Sequence, residues 1–102
     1  MKVHKLKLKE LYFEDVNSGK KPFEIRLNDR DYQVGDLIEF RKVNNDGSEC
    51  KGSHLRGNLI FAEIPYLIQD TDFLKDGYCS FGIKLLDYMK FFQKKKEINI
   101  RT

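Results

Sequence analysis

A change of period around Gly19 limits the folds open to this chain. Leu8, Leu11, Tyr12 and Val16 recur at helical spacing, whereas Phe23, Ile25 and Leu27 recur at every second position. The first pattern lays one apolar stripe along a helix and the second puts alternate side chains on opposite faces of a strand. The stripe predicts a helix over 9–18. Gly19 stops it by accepting a left-handed conformation without a side-chain clash, and Pro22 prevents a restart. The strand that follows, within GKKPFEIRLNDR, is expected to turn Phe23, Ile25 and Leu27 toward a core and Glu24, Arg26 and Asn28 toward a polar cleft.

The other segments are short and mostly extended. A first strand is predicted over 2–8. Gly35-Asp36 leads into LIEFRKV, Leu37 to Val43, and Asn45-Asp46-Gly47 makes a hairpin-type turn. NLIFAEIPYLI, 58–68, reads as a buried strand bent at Pro65, where a ladder hydrogen bond is missing. QDTDFLKDG has room for one helical turn, and YCSFGIKLL reads as a last strand with Cys79, Phe81, Ile83 and Leu85 on one side. Tyr88, Phe91 and Phe92 then return to helical spacing, giving an amphipathic helix over 87–96. The order predicts an α+β fold: a small, mostly antiparallel β-barrel of about five to six strands, one N-terminal helix against it and room for a C-terminal helix. The expected domain is 1–86, followed by a basic, aromatic extension over 87–102.

A chain of 102 residues with 40% hydrophobic and 13% aromatic residues can bury one core without outside help. No apolar run spans a bilayer, and MKVHKLKLKE lacks the apolar segment of a signal peptide, so a cytoplasmic protein with no membrane partner is expected. Cys50 and Cys79 form no CxxC pair and read as reduced thiols. Cys50 and His54 lack further paired ligands, so neither a metal nor a cofactor is expected. The net charge is +3, but lysines concentrate at 2, 5, 7 and 9 and at 90 and 94–96. If the ends meet, they form a patch suited either to solubility or to a polyanion.

Gly19-x-Lys21-x-x-Glu24-x-Arg26 resembles the GxKxxExR signature of the ASCH domain, a PUA-like β-barrel family. The chain is similar, more closely, to an ASCH-like group of unknown function labelled DUF3850, found in bacteria and associated with phages. The shared pieces are His4-Lys5-Leu6-Lys7, Tyr12-Phe13, Gly19-Lys20-Lys21, Phe23-Glu24-Ile25-Arg26, Asn28-Asp29-Arg30, Val34-Gly35-Asp36, and Gly77-Tyr78 with Gly82-Ile83. The resemblance covers roughly 2–86 and implies a cleft beside the first helix, which relatives use for RNA or modified nucleobases.

Within that cleft Lys21 and Arg26 would supply donors and positive charge, and Glu24 would orient them or read the ligand. The same three residues also make a purely structural ion pair. Asn28 offers paired hydrogen bonds to a base or a turn contact, and Arg30 offers a cleft rim or a clamp on Asp29 or Asp31. His4 serves either one core hydrogen bond or the ligand. Tyr12 belongs to the helix stripe, which leaves Phe13 as a stacking surface or as packing at the barrel mouth. RNA or a nucleotide-like ligand is the expected partner. An amidohydrolase branch of the ASCH superfamily, acting on N4-acetylcytidine, implies an alternative: Lys21 matches its Lys, Glu24 stands where it has Thr, and Glu63 is the candidate for its distant Glu. A third possibility is a protein partner bound through the tail.

Overall fold

The computed structural model describes residues 1–101, with side chains through residue 98. In chain order it contains β1 (Val3–Lys9), α1 (Glu10–Asn17), β2 (Phe23–Leu27), β3 (Leu37–Val43), β4 (Leu59–Glu63), β5 (Leu67–Gln69), β6 (Tyr78–Gly82), β7 (Lys84–Leu86) and α2 (Tyr88–Arg101). The strands form two sheets, β1-β3-β4-β7 and β2-β6-β5. All neighbours run antiparallel except β1 and β3, which are parallel. No described helix is long and apolar enough to cross a membrane.

The fold is α+β as expected, but the strands do not close into a barrel. Each of the two long apolar runs breaks and crosses between the sheets. The run over 58–68 leaves the first sheet after Glu63, turns at Pro65 and enters the second as β5. The run over 78–86 crosses back, from β6 to β7, at Ile83. Pro65 cannot donate to a ladder, so it suits a corner. Gly82 completes that corner, because a Cβ there would lie 3.3 Å from Pro65 Cγ.

On the other side of the molecule β1 and β2 are sheet edges that do not pair with each other. Arg26 spans the gap, its Nη2 donating to the Lys7 carbonyl at 2.7 Å. A side chain stands where a closed barrel would carry a ladder, and the opening becomes a cleft.

The main core lies between the sheets and includes Leu6, Leu8, Phe13, Val16, Tyr32, Phe40, Ile64 and Phe81. β1 alternates more strictly than its apolar residues indicate, because His4 joins Leu6 and Leu8 on the buried face. A second cluster, Leu37, Phe61 and Phe91, fills the outer face of the first sheet and seats α2. That helix is longer than the sequence pattern indicates. Asp87 caps it by accepting from Lys90 N at 2.8 Å, and Phe91 and Tyr88 pack on Phe61. The tail is therefore docked along this face; its final residue, 102, lies outside the described residues.

One expected face is shifted, with Leu8 and Val16 buried as the stripe predicts, and another is reversed. On α1 Phe13 and Val16 are buried while Leu11 and Tyr12 are exposed, so Phe13 is core and Tyr12 is the accessible ring. On β2 Glu24 is only 6% exposed, whereas Phe23, Ile25 and Leu27 are 45%, 55% and 50% exposed. The strand turns its charge inward and its apolar residues outward. Neither the connection over 70–77 nor Asn28 to Asp36 forms a helix; instead one short helical turn occurs at Arg56–Asn58.

Substituting Gly82→Val should push Pro65 out of the corner and destabilise the protein by about 1–3 kcal/mol, read as a lower urea midpoint. A wild-type midpoint would show that the crossing tolerates a side chain there.

Candidate functional site

Gly19 adopts a φ of +83°, a conformation that costs an L side chain energy. The chain reverses there: Gly19 N donates to Val16 O at 3.1 Å and Lys21 N to Asp15 O at 2.9 Å. Lys21 is thereby delivered to the start of β2, three residues before Glu24. The N-terminus of α1 is held from the opposite side, where Leu11 N donates to Asn45 Oδ1 at 2.8 Å. Helix and strand enter the site from fixed points.

Glu24 lies at the centre. Lys21 Nζ donates directly to Glu24 Oε1, and Arg26 Nε donates to Oε2 at 2.9 Å. A buried carboxylate is costly unless it is paired and hydrogen-bonded, and here each oxygen meets a cation. Both cations keep about a fifth to a quarter of their side chains exposed, 21% for Lys21 and 24% for Arg26. Lys21 Nζ also sits 5.0 Å from the Tyr12 ring centroid and 5.3 Å from that of Phe23. Cation–π attraction and the carboxylate together hold the ammonium at the mouth.

The triad opens onto a cleft of about 600 Å³. Five cations, Lys7, Lys9, Lys21, Arg26 and Arg30, line it with two carboxylates, Glu24 and Asp29. Four rings, Tyr12, Phe23, Tyr32 and Tyr78, share the lining. A smaller groove of about 230 Å³ lies elsewhere, under α2, lined by Met1, Leu37, Glu63 and Lys94 among others. Met1 and α2 do come together there, but of the terminal lysines Lys94 lines this groove while Lys7 and Lys9 line the larger one. The charge excess and the aromatic surface belong to the larger one.

Of the residues singled out in the sequence, Lys21, Glu24, Arg26 and Arg30 line one cleft. The others stand apart from its lining. Asn28 is engaged at both ends of its amide, donating to Gln69 Oε1 at 2.8 Å and accepting from Tyr32 N at 3.0 Å. His4 is buried behind the cleft, where its Nε2 donates to Asp36 Oδ2 at 2.8 Å and its ring lies 4.7 Å from that of Tyr32. Glu63 is at the far end of β4, with Oε2 3.1 Å from Lys94 Nζ, and belongs to the groove under α2. Lys2, not Arg30, pairs with Asp31, at 3.3 Å.

Sequence reasoning passed over Tyr32, Tyr78 and Asp36 as functional positions. Asp36 is wholly buried and accepts from three donors, Lys2 N, Gln33 N and His4. It ties the first strand to the turn that carries Tyr32. No local pattern marks these residues, since each acquires its place through distant contacts: Asp36 through Lys2 and His4, Tyr32 beside the His4 ring, and Tyr78 through the pairing of β6 with β2. Tyr32 is almost fully buried, and this burial raises its phenol pKa above the ordinary 10.0 against the opposing charges of Arg26 and Arg30. The ring meets the cleft as a neutral phenol.

A family model with the description Domain of unknown function (DUF3850) matches residues 3–83, from the first strand to the crossing between β6 and β7. None of the curated proteins searched matches the chain.

The raised phenol pKa fixes a pH dependence. The folded state disfavours the phenolate, so this contribution to stability is complete below pH 10.0 and declines as pH rises through the unfolded value toward the folded one. Tyr32→Phe should remove that share of the alkaline loss, seen as a flatter melting temperature above about pH 9. Parallel alkaline curves for the two proteins would contradict the assignment.

Proposed function

The chain belongs to the DUF3850 family, and we propose that it is a cytoplasmic binding module that holds single-stranded RNA or a nucleotide-like ligand in the cleft beside α1. The supporting observation is the partly exposed cation pair on Glu24, set in a hollow where five positive side chains meet four aromatic rings. Phosphates require the former and base faces the latter. The GxKxxExR spacing and the two small sheets around an opening beside the helix also support an ASCH, PUA-like kinship. Unpaired bases can enter such a hollow, whereas a duplex conceals their edges.

The parts divide the work by their free valences. Both oxygens of Glu24 are occupied, so its role is to orient Lys21 and Arg26 rather than to read the ligand. Arg26 spends Nε on Glu24 and Nη2 on Lys7, which leaves Nη1 for a phosphate or base. Lys7, Lys9 and Arg30 are exposed and supply long-range attraction. His4, Asp36 and Asn28 hold the wall.

A second reading, cleavage of an acylated base such as N4-acetylcytidine, draws on the direct Lys21–Glu24 contact, which would let the pair pass a proton. Glu63 cannot serve it from the groove under α2. Incubating wild-type protein at high concentration with N4-acetylcytidine should yield no free acetate by chromatography; cytidine production that disappears in Lys21→Met would favour this reading instead.

For the binding module, Lys9→Ala with Arg30→Ala removes two cleft cations whose side chains make no ion pair among the described residues. Affinity for a short single-stranded RNA should drop and its log–log salt slope should shrink by about 1–2, with an unchanged melting temperature. Unaltered binding would place the ligand elsewhere.

A further inference from the structure

Hydrogen bonds at both ends of the β2–β6 ladder fix which way the main chain of β2 faces. Asn28 N donates to Gly77 O at 2.8 Å, and Ile83 N donates to Pro22 O at 2.9 Å. In an antiparallel pair alternate residues turn both their N–H and C=O to the neighbour. Residues 22, 24, 26 and 28 thus face β6, and the main-chain groups of Phe23, Ile25 and Leu27 face away from it. No described strand covers that other edge of β2, and no described residue bonds those N–H or C=O groups. All three residues line the cleft.

The opposite wall has the same character. Leu37 N donates to Lys2 O at 2.9 Å, so the even residues of β1 serve β3 and the odd ones, Lys7 among them, face outward. The Arg26 bridge to Lys7 O lands on that open edge. The cleft is therefore a seam between two strand edges, and unpaired main-chain groups supply much of its hydrogen-bonding capacity.

We propose that the open edge of β2, at the N–H and C=O of Ile25 with those of Phe23 and Leu27 beside it, reads the Watson–Crick edge of an unpaired base. This rests on the nucleotide reading given above and adds the group that does the reading. Ile25 presents a donor and an acceptor side by side, and every base offers an adjacent acceptor and donor on that edge. The readout discriminates unpaired from paired bases more than one base from another. An extended peptide would also seek a free strand edge. The Arg26 side chain crosses the seam at the middle of β2, however, and so favours a short planar ligand over a continuous added strand.

Amide exchange resolved by NMR on the full chain tests this, with uridine 5′-monophosphate, its N3-methyl derivative and an acidic peptide as probes. In the free protein the amides of Phe23, Ile25 and Leu27 should exchange fast, while those of Arg26 and Asn28 are protected. Uridine monophosphate should slow exchange at Ile25. Methylation at N3, which removes the donor, should weaken binding about tenfold. Replacing Ile25 by its α-hydroxy acid deletes the N–H and keeps the side chain, at the cost of turning the Glu24 carbonyl of the ladder into a weaker ester acceptor; it should weaken uridine monophosphate by about the same factor with only a small fall in melting temperature.

Equal binding of both nucleotides, with Ile25 still exchanging fast, would overturn the edge readout and leave the nucleotide reading standing. Binding of neither nucleotide would overturn both. Protection of all three amides by the peptide, with none from the nucleotides, would replace the proposal with strand addition.

Discussion

The carboxylate of Glu24 is the constraint around which the site is arranged. An inward-facing charge on a strand is tolerated only if both oxygens find strong donors, and Lys21 and Arg26 provide them from positions three before and two after. Satisfying Glu24 settles the orientation of β2. With even positions inside, the apolar odd positions must face outward, whatever their hydrophobicity would prefer. The same choice sends Arg26 across the seam to Lys7, so that one ion cluster orients the strand, bridges the two sheet edges and lines the hollow.

Support comes from behind. Asp36 gathers the Lys2 amide, the Gln33 amide and the His4 ring at a site with no solvent access. The ring of His4 carries that order to Tyr32, and Tyr32 packs on Phe81 with centroids 5.1 Å apart. Asn28 fixes the same segment from its other end. Residues that a sequence reader would assign to a ligand thus set the wall against which a ligand would rest. Beside the exposed Lys7, Lys9 and Arg30, the polar groups left over, namely the outer face of Lys21, one nitrogen of Arg26 and the free edge of β2, are what the cleft offers.

The signature Gly19-x-Lys21-x-x-Glu24-x-Arg26 was legible because its spacing is local. A glycine reversal and a two-residue period place those side chains without help from distant parts of the chain. Strand existence was legible from equally local cues: Phe23 to Leu27 and Cys79 to Leu85 alternate, Gly35-Asp36 leads into Leu37 to Val43, and the run over 58–68 is the most apolar in the chain. The division of each long run into two strands was not. Pro65 announces a bend, but only the second sheet explains where the chain goes after it. The faces of α1 and β2 were misjudged where apolar residues lay on both sides. Tyr12 against Phe13, and Glu24 against Ile25, are decided by neighbours that the local pattern does not contain.

Sequence by itself determined the α+β class, the order of the elements, the local ion cluster and the membership in a family that the matching residues 3–83 express. These follow from short-range geometry, in which the spacing of residues fixes their relative positions. Tertiary structure alone decided that the sheets remain open, that His4 and Asp36 meet, that Glu63 belongs to another groove, and that the free edge of β2 faces the cleft. Each of these joins residues at least twenty positions apart or depends on which strand edge is left unpaired, and pairing between strands is a property of the folded chain rather than of any segment in it.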